Sequence, residues 1–271
     1  MKAIYFDVNV PRILATKAIK RLWPGVIWSP ISPSGLEERE DPPLPGPRWL
    51  RVRNSQCGIC ATDLNLLFVN ADPRIGPAAL PGLERIYLGH EAVGEVVEVG
   101  PEVDRFAVGD RVAIEARPGG SPNCLTQEID PPCRFCEAGD SRLCENGSLG
   151  LGPVGIGSGW ADTFTAHESE LWPVPDDLDD DQASLIEPMA VAAHGVLRKL
   201  PRSGDRVLVL GAGIIGLSTL QSLRALAPDA HVTVLARYSH QGETAERLGA
   251  DEIVGEIGDP YAKMAHITEA K

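Results

Sequence analysis

A short apolar run at 206–210, RVLVL, leads directly into Gly211-Ala212-Gly213-Ile214-Ile215-Gly216. No other stretch restricts the fold as much. In this spacing Gly211 permits a tight turn and Gly213 lets the backbone approach a pyrophosphate. Gly216 lets the next helix pack closely, and the helix N-terminus attracts phosphate charge. The composition of 217–227 is helical, 231–235 reads as a second strand, 241–248 as a second helix and 251–254 as a third strand. The order βαβαβ begins a doubly wound parallel sheet. A bare GxGxxG is weak evidence, and a glycine-rich turn in another doubly wound protein is the competing explanation. Its position between strand and helix makes Gly211, Gly213, Ile214, Ile215 and Gly216 the candidate nucleotide-binding residues. A complete domain of this type has about six parallel strands, and roughly three are visible before Lys271.

The second strand ends Leu235-Ala236-Arg237. An acidic residue belongs at that end when the adenosine ribose carries a free 2′-hydroxyl. Here the acid is absent and Arg237 stands beside its place, so NADP is favoured over NAD. A guanidinium pairs with a 2′-phosphate through several donors. The alternative is a surface arginine with no nucleotide role.

The 6 cysteines all lie between 57 and 144. Cys124, Cys133, Cys136 and Cys144 form C-x8-C-x2-C-x7-C, a knot of soft ligands suited to a closed structural zinc site. Reduced, non-ligating cysteines are the alternative. Cys60 of Cys57-Gly58-Ile59-Cys60, His90 of Gly89-His90-Glu91 and Glu187 of Leu185-Ile186-Glu187-Pro188 form a second candidate set. Sulfur, nitrogen and carboxylate ligands with one open position would leave room for water or substrate. Taken singly, His90 is as well explained as a hydrogen-bonded structural histidine and Glu187 as a helix carboxylate.

Short strands with Gly/Pro turns precede the glycine motif, at 1–6, 48–53, 90–100 and 108–112, and predict a barrel-like first domain. The proline-rich 28–47 reads as a surface connection, and 117–159 as irregular. The acidic run 176–181 reads as a solvated start to a helix over 182–198. With 25 Lys+Arg against 38 Asp+Glu, the net charge of −13 argues against a nucleic-acid partner. No apolar run reaches membrane-spanning length, no secretory leader is visible, and a cytoplasmic location is expected.

The chain resembles the zinc-dependent medium-chain dehydrogenases/reductases, the alcohol and polyol dehydrogenase superfamily. The resemblance rests on Cys57-Gly58-Ile59-Cys60-Ala61-Thr62-Asp63, Gly89-His90-Glu91, the cysteine lobe, Gly159-Trp160-Ala161, Glu187-Pro188 and Gly211 to Gly216, in that order. It implies a mixed fold, with a GroES-like β-barrel catalytic domain over 1–180, including the lobe 124–144, and an incomplete α/β Rossmann domain over 181–271. It implies a catalytic zinc on Cys60, His90 and Glu187, with Glu91 as a neighbouring carboxylate that approaches or exchanges at the metal. Thr62 matches the hydroxyl that relays the substrate proton, and Asp63 matches a residue that orients the ligands. Cys57 is not a ligand in that pattern.

Two departures stand out. Asn65 replaces a frequent relay histidine, and Asp130 occupies the usual spacing of the lobe's first cysteine. The first structural ligand is therefore Cys124 or Asp130. The implied activity is hydride transfer between an alcohol or polyol and NAD(P), with a small-molecule alcohol, polyol or carbonyl as substrate and a homo-oligomer as the full-length form. The family's chain continues past the equivalent of Lys271, so the 271-residue chain by itself is expected to be aggregation-prone and nearly inactive. A non-catalytic zinc-binding protein is the alternative. A zinc-free quinone or enoyl reductase of the same fold is a third possibility, opposed by Cys60, His90 and the cysteine lobe.

Overall fold

The computed structural model describes residues 1–70, 85–115, 122–147 and 156–255. The parts of the irregular stretch at 117–121 and 148–155 lie outside the described residues. The strands are β1 (Lys2–Asp7), β2 (Ser34–Glu38), β3 (Trp49–Cys57), β4 (Arg85–Tyr87), β5 (Ala92–Val99), β6 (Arg111–Ile114), β7 (Thr163–His167), β8 (Leu171–Pro173), β9 (Arg206–Leu210), β10 (His231–Leu235) and β11 (Glu252–Val254). The helices are α1 (Val10–Lys20), α2 (Ala61–Leu67), α3 (Arg134–Glu137), α4 (Asp180–Ala183), α5 (Ile186–Arg198), α6 (Ile214–Leu226) and α7 (Ser239–Arg247). They form two compact units, Met1–Glu187 and the chain from Pro188 onward.

The first unit is built on an antiparallel sheet of order β7-β3-β5-β6-β8, curled into a half-barrel of the GroES-like kind. Leu50, Val52, Val96, Ile114, Phe164 and Leu171 fill its inside. Val93, Ala113, Val174 and Ala183 cover part of the outside. Strand β3 does not keep the alternation expected of a half-buried strand, because Arg51 is buried as well. Its guanidinium is paired to Glu98 through Nε at 2.8 Å and donates from Nη2 to Pro42 O at 2.6 Å, which pairs the buried charge.

A second antiparallel sheet has the order β2-β1-β4. The stretch 28–47, expected as a surface connection, thus contains a paired strand. Prolines at 30, 33, 42, 43, 45 and 47 flank the strand and leave 34–38 free to pair with β1. Helix α1 was not legible as an element, although Val10–Lys20 contains a single proline. Its signals are Asn9, whose side chain accepts from Arg12 N, and Pro11 in the first turn.

The helix expected over 182–198 is two helices. Asp179 caps α4 reciprocally with Gln182. A continuous helix would need an N–H at residue 188, and proline has none. The chain restarts at Ile186, which puts Pro188 in the first turn of α5, where that N–H has no intrahelical partner to lose.

In the second unit β9, β10 and β11 are parallel in the order β11-β10-β9, joined through α6 and α7. This is the βαβαβ arrangement that begins a Rossmann fold. Val209, Leu220, Leu223, Val232, Val234 and Ala245 form its core. Both helices start two or three residues earlier than the composition indicated, α6 directly on the glycine motif. Among the described residues no helix is long and apolar enough to cross a membrane.

Candidate active site and metal centres

Helix α2 follows strand β3 after a short turn, and Cys60 is its N-cap. Helical spacing then divides the next residues. Asp63 and Leu66 face inward, while Thr62 and Asn65 are exposed. Asp63 is fully buried. Its Oδ1 accepts from Gly89 N at 3.0 Å and its Oδ2 lies 3.0 Å from His90 Nδ1. With Nδ1 engaged, Nε2 is the ring nitrogen left for a ligand. Cys60, His90 and Glu91 each place a ligand atom within 4.8 Å of the others. A sulfur, an imidazole and a carboxylate at that separation fit a divalent zinc with one position open.

The 89–90 corner is held from behind. Gly89 has φ +85°, and a Cβ there would run into the ring and backbone of Trp160. Gly159 N and Trp160 N donate to Gly89 O and Leu88 O at 3.0 and 2.9 Å, and Trp160 Nε1 donates to Gly58 O at 3.3 Å. Asn54 Nδ2 in turn donates to Ser158 O and Ala161 O at 3.1 and 2.6 Å. Gly159-Trp160-Ala161 thus braces both segments that carry Cys60 and His90.

Cys57 packs against the half-barrel core and lies outside the 4.8 Å set. Burial pushes its thiol up to about 12, with Asp63 and Glu91 acting in the same direction, so it remains protonated. Glu187 is half-buried and also outside that set. Burial raises its carboxyl above the ordinary range. Glu91 and Asp63 add to the rise and His90 opposes it, which places Glu187 in the electrostatic reach of the same cluster.

The four lobe sulfurs also lie within 4.8 Å of one another. Two of the edges, Cys124–Cys144 and Cys133–Cys144, measure 3.6 and 3.9 Å. A tetrahedron of sulfurs around zinc at ~2.3 Å has edges of roughly 3.8 Å, whereas a disulfide needs about 2.05 Å. The thiols are free. Cys133 N and Asn146 Nδ2 each donate to Cys124 Sγ at 3.3 Å, and Asn146 N donates to Cys144 Sγ at 3.3 Å. The Asn146 amide, together with Cys133 N, lowers the Cys124 thiol. Backbone N–H groups of Cys136, Glu145 and Phe135 bring Cys133 down to about 6, while burial pushes Cys136 up to about 12. The donor set fits zinc, and Cys124 is the fourth member. Asp130 is exposed and outside the set.

In the second unit Gly211 takes the turn at φ +102° with its N–H on Leu235 O at 3.1 Å. Gly213 is the N-cap of α6, with open space where a Cβ would stand. Gly216 faces the carbonyl of Gly211 with no room for a Cβ. Ile214 and Ile215 are exposed beside them. Arg237 is exposed just after β10, its guanidinium 5.4 Å from the Tyr238 ring centroid, and Tyr238 stacks on His240 at 5.7 Å.

Residues 46–176 match the alcohol dehydrogenase GroES-like domain. The (R,R)-butanediol dehydrogenase of Saccharomyces cerevisiae is 33% identical over 214 residues, covering 73% of this chain and 53% of that protein. The sorbitol dehydrogenase of Halalkalibacterium halodurans is 30% identical over 237 residues, covering 83% of this chain and 63% of that protein. The crystal structure of 2R,3R-butanediol dehydrogenase from Bacillus subtilis superposes with a TM-score of 0.65 at 30% identity, over 87% of this chain and 64% of that one. The chain belongs to the medium-chain alcohol/polyol dehydrogenase-like superfamily. It spans between half and two thirds of the length of these relatives.

Within this medium-chain dehydrogenase-like frame, three groups around the site escaped sequence reasoning. Asn54 and Ser158 are ordinary polar residues whose role depends on a contact more than a hundred positions away. Lys20, whose Nζ donates to Phe68 O at 2.8 Å at the end of α2, carries no signal in the sequence at all. The Trp160 segment was visible as part of a family pattern, while its bracing function came only from the hydrogen bonds.

Proposed function

We propose that this chain is a zinc-dependent oxidoreductase moving hydride between an alcohol or polyol and a nicotinamide nucleotide, with NADP preferred to NAD. The observation that carries this is the Cys60–His90–Glu91 set, with buried Asp63 on the far nitrogen of His90. Cys60, His90 and a carboxylate from Glu91 or Glu187 would hold the catalytic zinc, and Cys124, Cys133, Cys136 and Cys144 the structural one. The metal supplies Lewis acidity toward the substrate oxygen, and the nicotinamide supplies the hydride chemistry.

The chain's own groups do the rest. Asp63 fixes the His90 ring and its tautomer. Thr62, exposed on the first turn of α2, takes the alcohol proton at Oγ1 in exchange for its own. Asn65 is exposed on the next turn, and an amide takes up no proton near neutrality, so the proton passes from Thr62 to water. Gly211, Gly213, Ile214, Ile215 and Gly216 receive the pyrophosphate at the start of α6. Exposed Arg237, with no acidic residue beside it, supports binding of a 2′-phosphate.

Elemental analysis should find two zinc ions per chain, one removed by mild chelation and one retained. Cys60→Ser should lose the loose ion and, assayed on a chain extended to the length of the relatives, alcohol-dependent NADPH formation, while Cys57→Ser retains the ion. Arg237→Ala should weaken NADP by roughly 10- to 100-fold, as loss of charge-assisted hydrogen bonds requires, and NAD far less. A folded preparation that never holds zinc, or one that prefers NAD, contradicts the corresponding assignment.

A further inference from the structure

Helix α2 ends under strain. Its C-cap is Phe68; Val69 N donates to Leu66 O at 2.9 Å and Asn70 N donates to Asn65 O at 2.8 Å. This paired pattern is a Schellman cap, in which the residue after the C-cap adopts the left-handed conformation and is usually glycine. Here it is Val69 at φ +53°. A β-branched residue disfavours that conformation, so neighbouring structure has to hold it.

The neighbour is α1, which precedes residue 46 and so lies before the matched domain. Ile13 of α1 shares one apolar cluster with Leu66 and Val69, and Val69 is almost fully buried there. Lys20, in the last turn of α1, donates from Nζ to Phe68 O at 2.8 Å and to Asn70 Oδ1. It thereby grips both sides of Val69. Its positive charge also sits at the C-terminal end of α2, where the terminal carbonyls favour a cation. Ser34 Oγ, at the start of β2, donates to Leu67 O at 3.0 Å. The helix held in this way begins on Cys60 and carries Thr62 and Asp63.

We propose that Lys20 is a positioning residue: through the strained cap at Val69 it sets the axial position of α2, and with it the placement of Cys60 and Asp63 at the metal site. This rests on the proposed catalytic zinc site, since it concerns the helix that starts there. Helix α2 has only 7 residues, so a shift at its end is transmitted to its beginning with little loss.

The test uses the full chain with both zinc ions. Lys20→Met removes the donors and the charge but keeps the aliphatic stem. Zinc held by Cys60 and His90 should then pass to a colorimetric chelator roughly tenfold faster, the scale seen when an outer partner of a ligand is lost. Zinc in the four-cysteine lobe should leave at the wild-type rate. In zinc-stripped protein, iodoacetamide should alkylate Cys60 several-fold faster, read by peptide mass mapping. Lys20→Arg, which keeps charge and donors, should restore both rates.

Unchanged release and unchanged Cys60 alkylation in Lys20→Met would overturn the proposal. So would equal acceleration at both zinc sites, which marks general loosening. If wild-type protein holds no zinc at Cys60 yet its alkylation still responds to Lys20→Met, the metal assignment fails and the positioning role stands. Ser34→Ala removes the second tie and serves if Lys20→Met does not fold. Faster Cys60 alkylation supports the proposal there, and an unchanged rate overturns it.

Discussion

Asp63→Asn is the substitution that probes the candidate metal site most directly. The carboxylate is fully buried and makes two contacts of 3.0 Å, one with Gly89 N and one with His90 Nδ1. Asparagine is nearly isosteric, and its amide oxygen can keep the Gly89 bond. Its amide NH2 then faces His90 Nδ1. An NH2 only donates, so the imidazole must move its proton to Nε2, the nitrogen needed by the metal. One bond to a charged group is lost, worth about 1.5–3 kcal/mol, which converts to roughly 10- to 150-fold in zinc affinity. Asp63→Ala behaves differently: it takes the acceptor away from the buried Gly89 and His90 donors, and about 2–5 kcal/mol is lost from folding instead. The assay is chelator competition for zinc on protein whose four-cysteine lobe stays loaded, with thermal melting alongside. Wild-type zinc affinity in a well-folded Asp63→Asn protein would refute the role of Asp63 in orienting His90.

Three further outcomes follow from the geometry. Cys124→Ser should release the lobe zinc and Asp130→Asn should retain it, measured by elemental analysis; the reverse would return the ligand to Asp130. Gly216→Ala forces a methyl onto the Gly211 carbonyl and should cost about 1–3 kcal/mol in denaturant unfolding, whereas Gly213→Ala meets nothing and should leave the melting temperature alone while weakening nucleotide binding. His167 is buried beside Trp49, and burial lowers its imidazole from the ordinary 6.5 to about 4, so the folded protein holds it neutral. The folded state therefore binds fewer protons than the unfolded state between these values. Its contribution is complete above about pH 6.5 and is lost as the pH falls toward 4, a slope that His167→Gln should flatten in unfolding titrations.

Much of the fold was legible because its signals are local. The apolar run 206–210 followed by the glycine motif announces β9, a turn and α6 within a dozen residues, and each glycine has its own steric reason. The break between α4 and α5 was equally present, in Pro188, but helical composition on both sides hid it. Strand β2 was missed because prolines dominate 28–47; the proline-free 34–38 stands in the sequence, but only its pairing with β1 marks it as a strand.

The sequence by itself determined the chemistry available. The types and order of Cys60, His90, Glu91, the four lobe cysteines and the glycines of 211–216 depend on covalent identity and short-range geometry. Tertiary structure decided which of these groups meet. It brought Cys60 to His90 and Glu91 across thirty positions and put Cys124 rather than Asp130 with the other lobe sulfurs. It also buried Cys57 as a protonated thiol and set Lys20 against the end of α2. Those outcomes depend on long-range packing, burial and the direction of individual hydrogen bonds, and residue spacing along the chain encodes none of these.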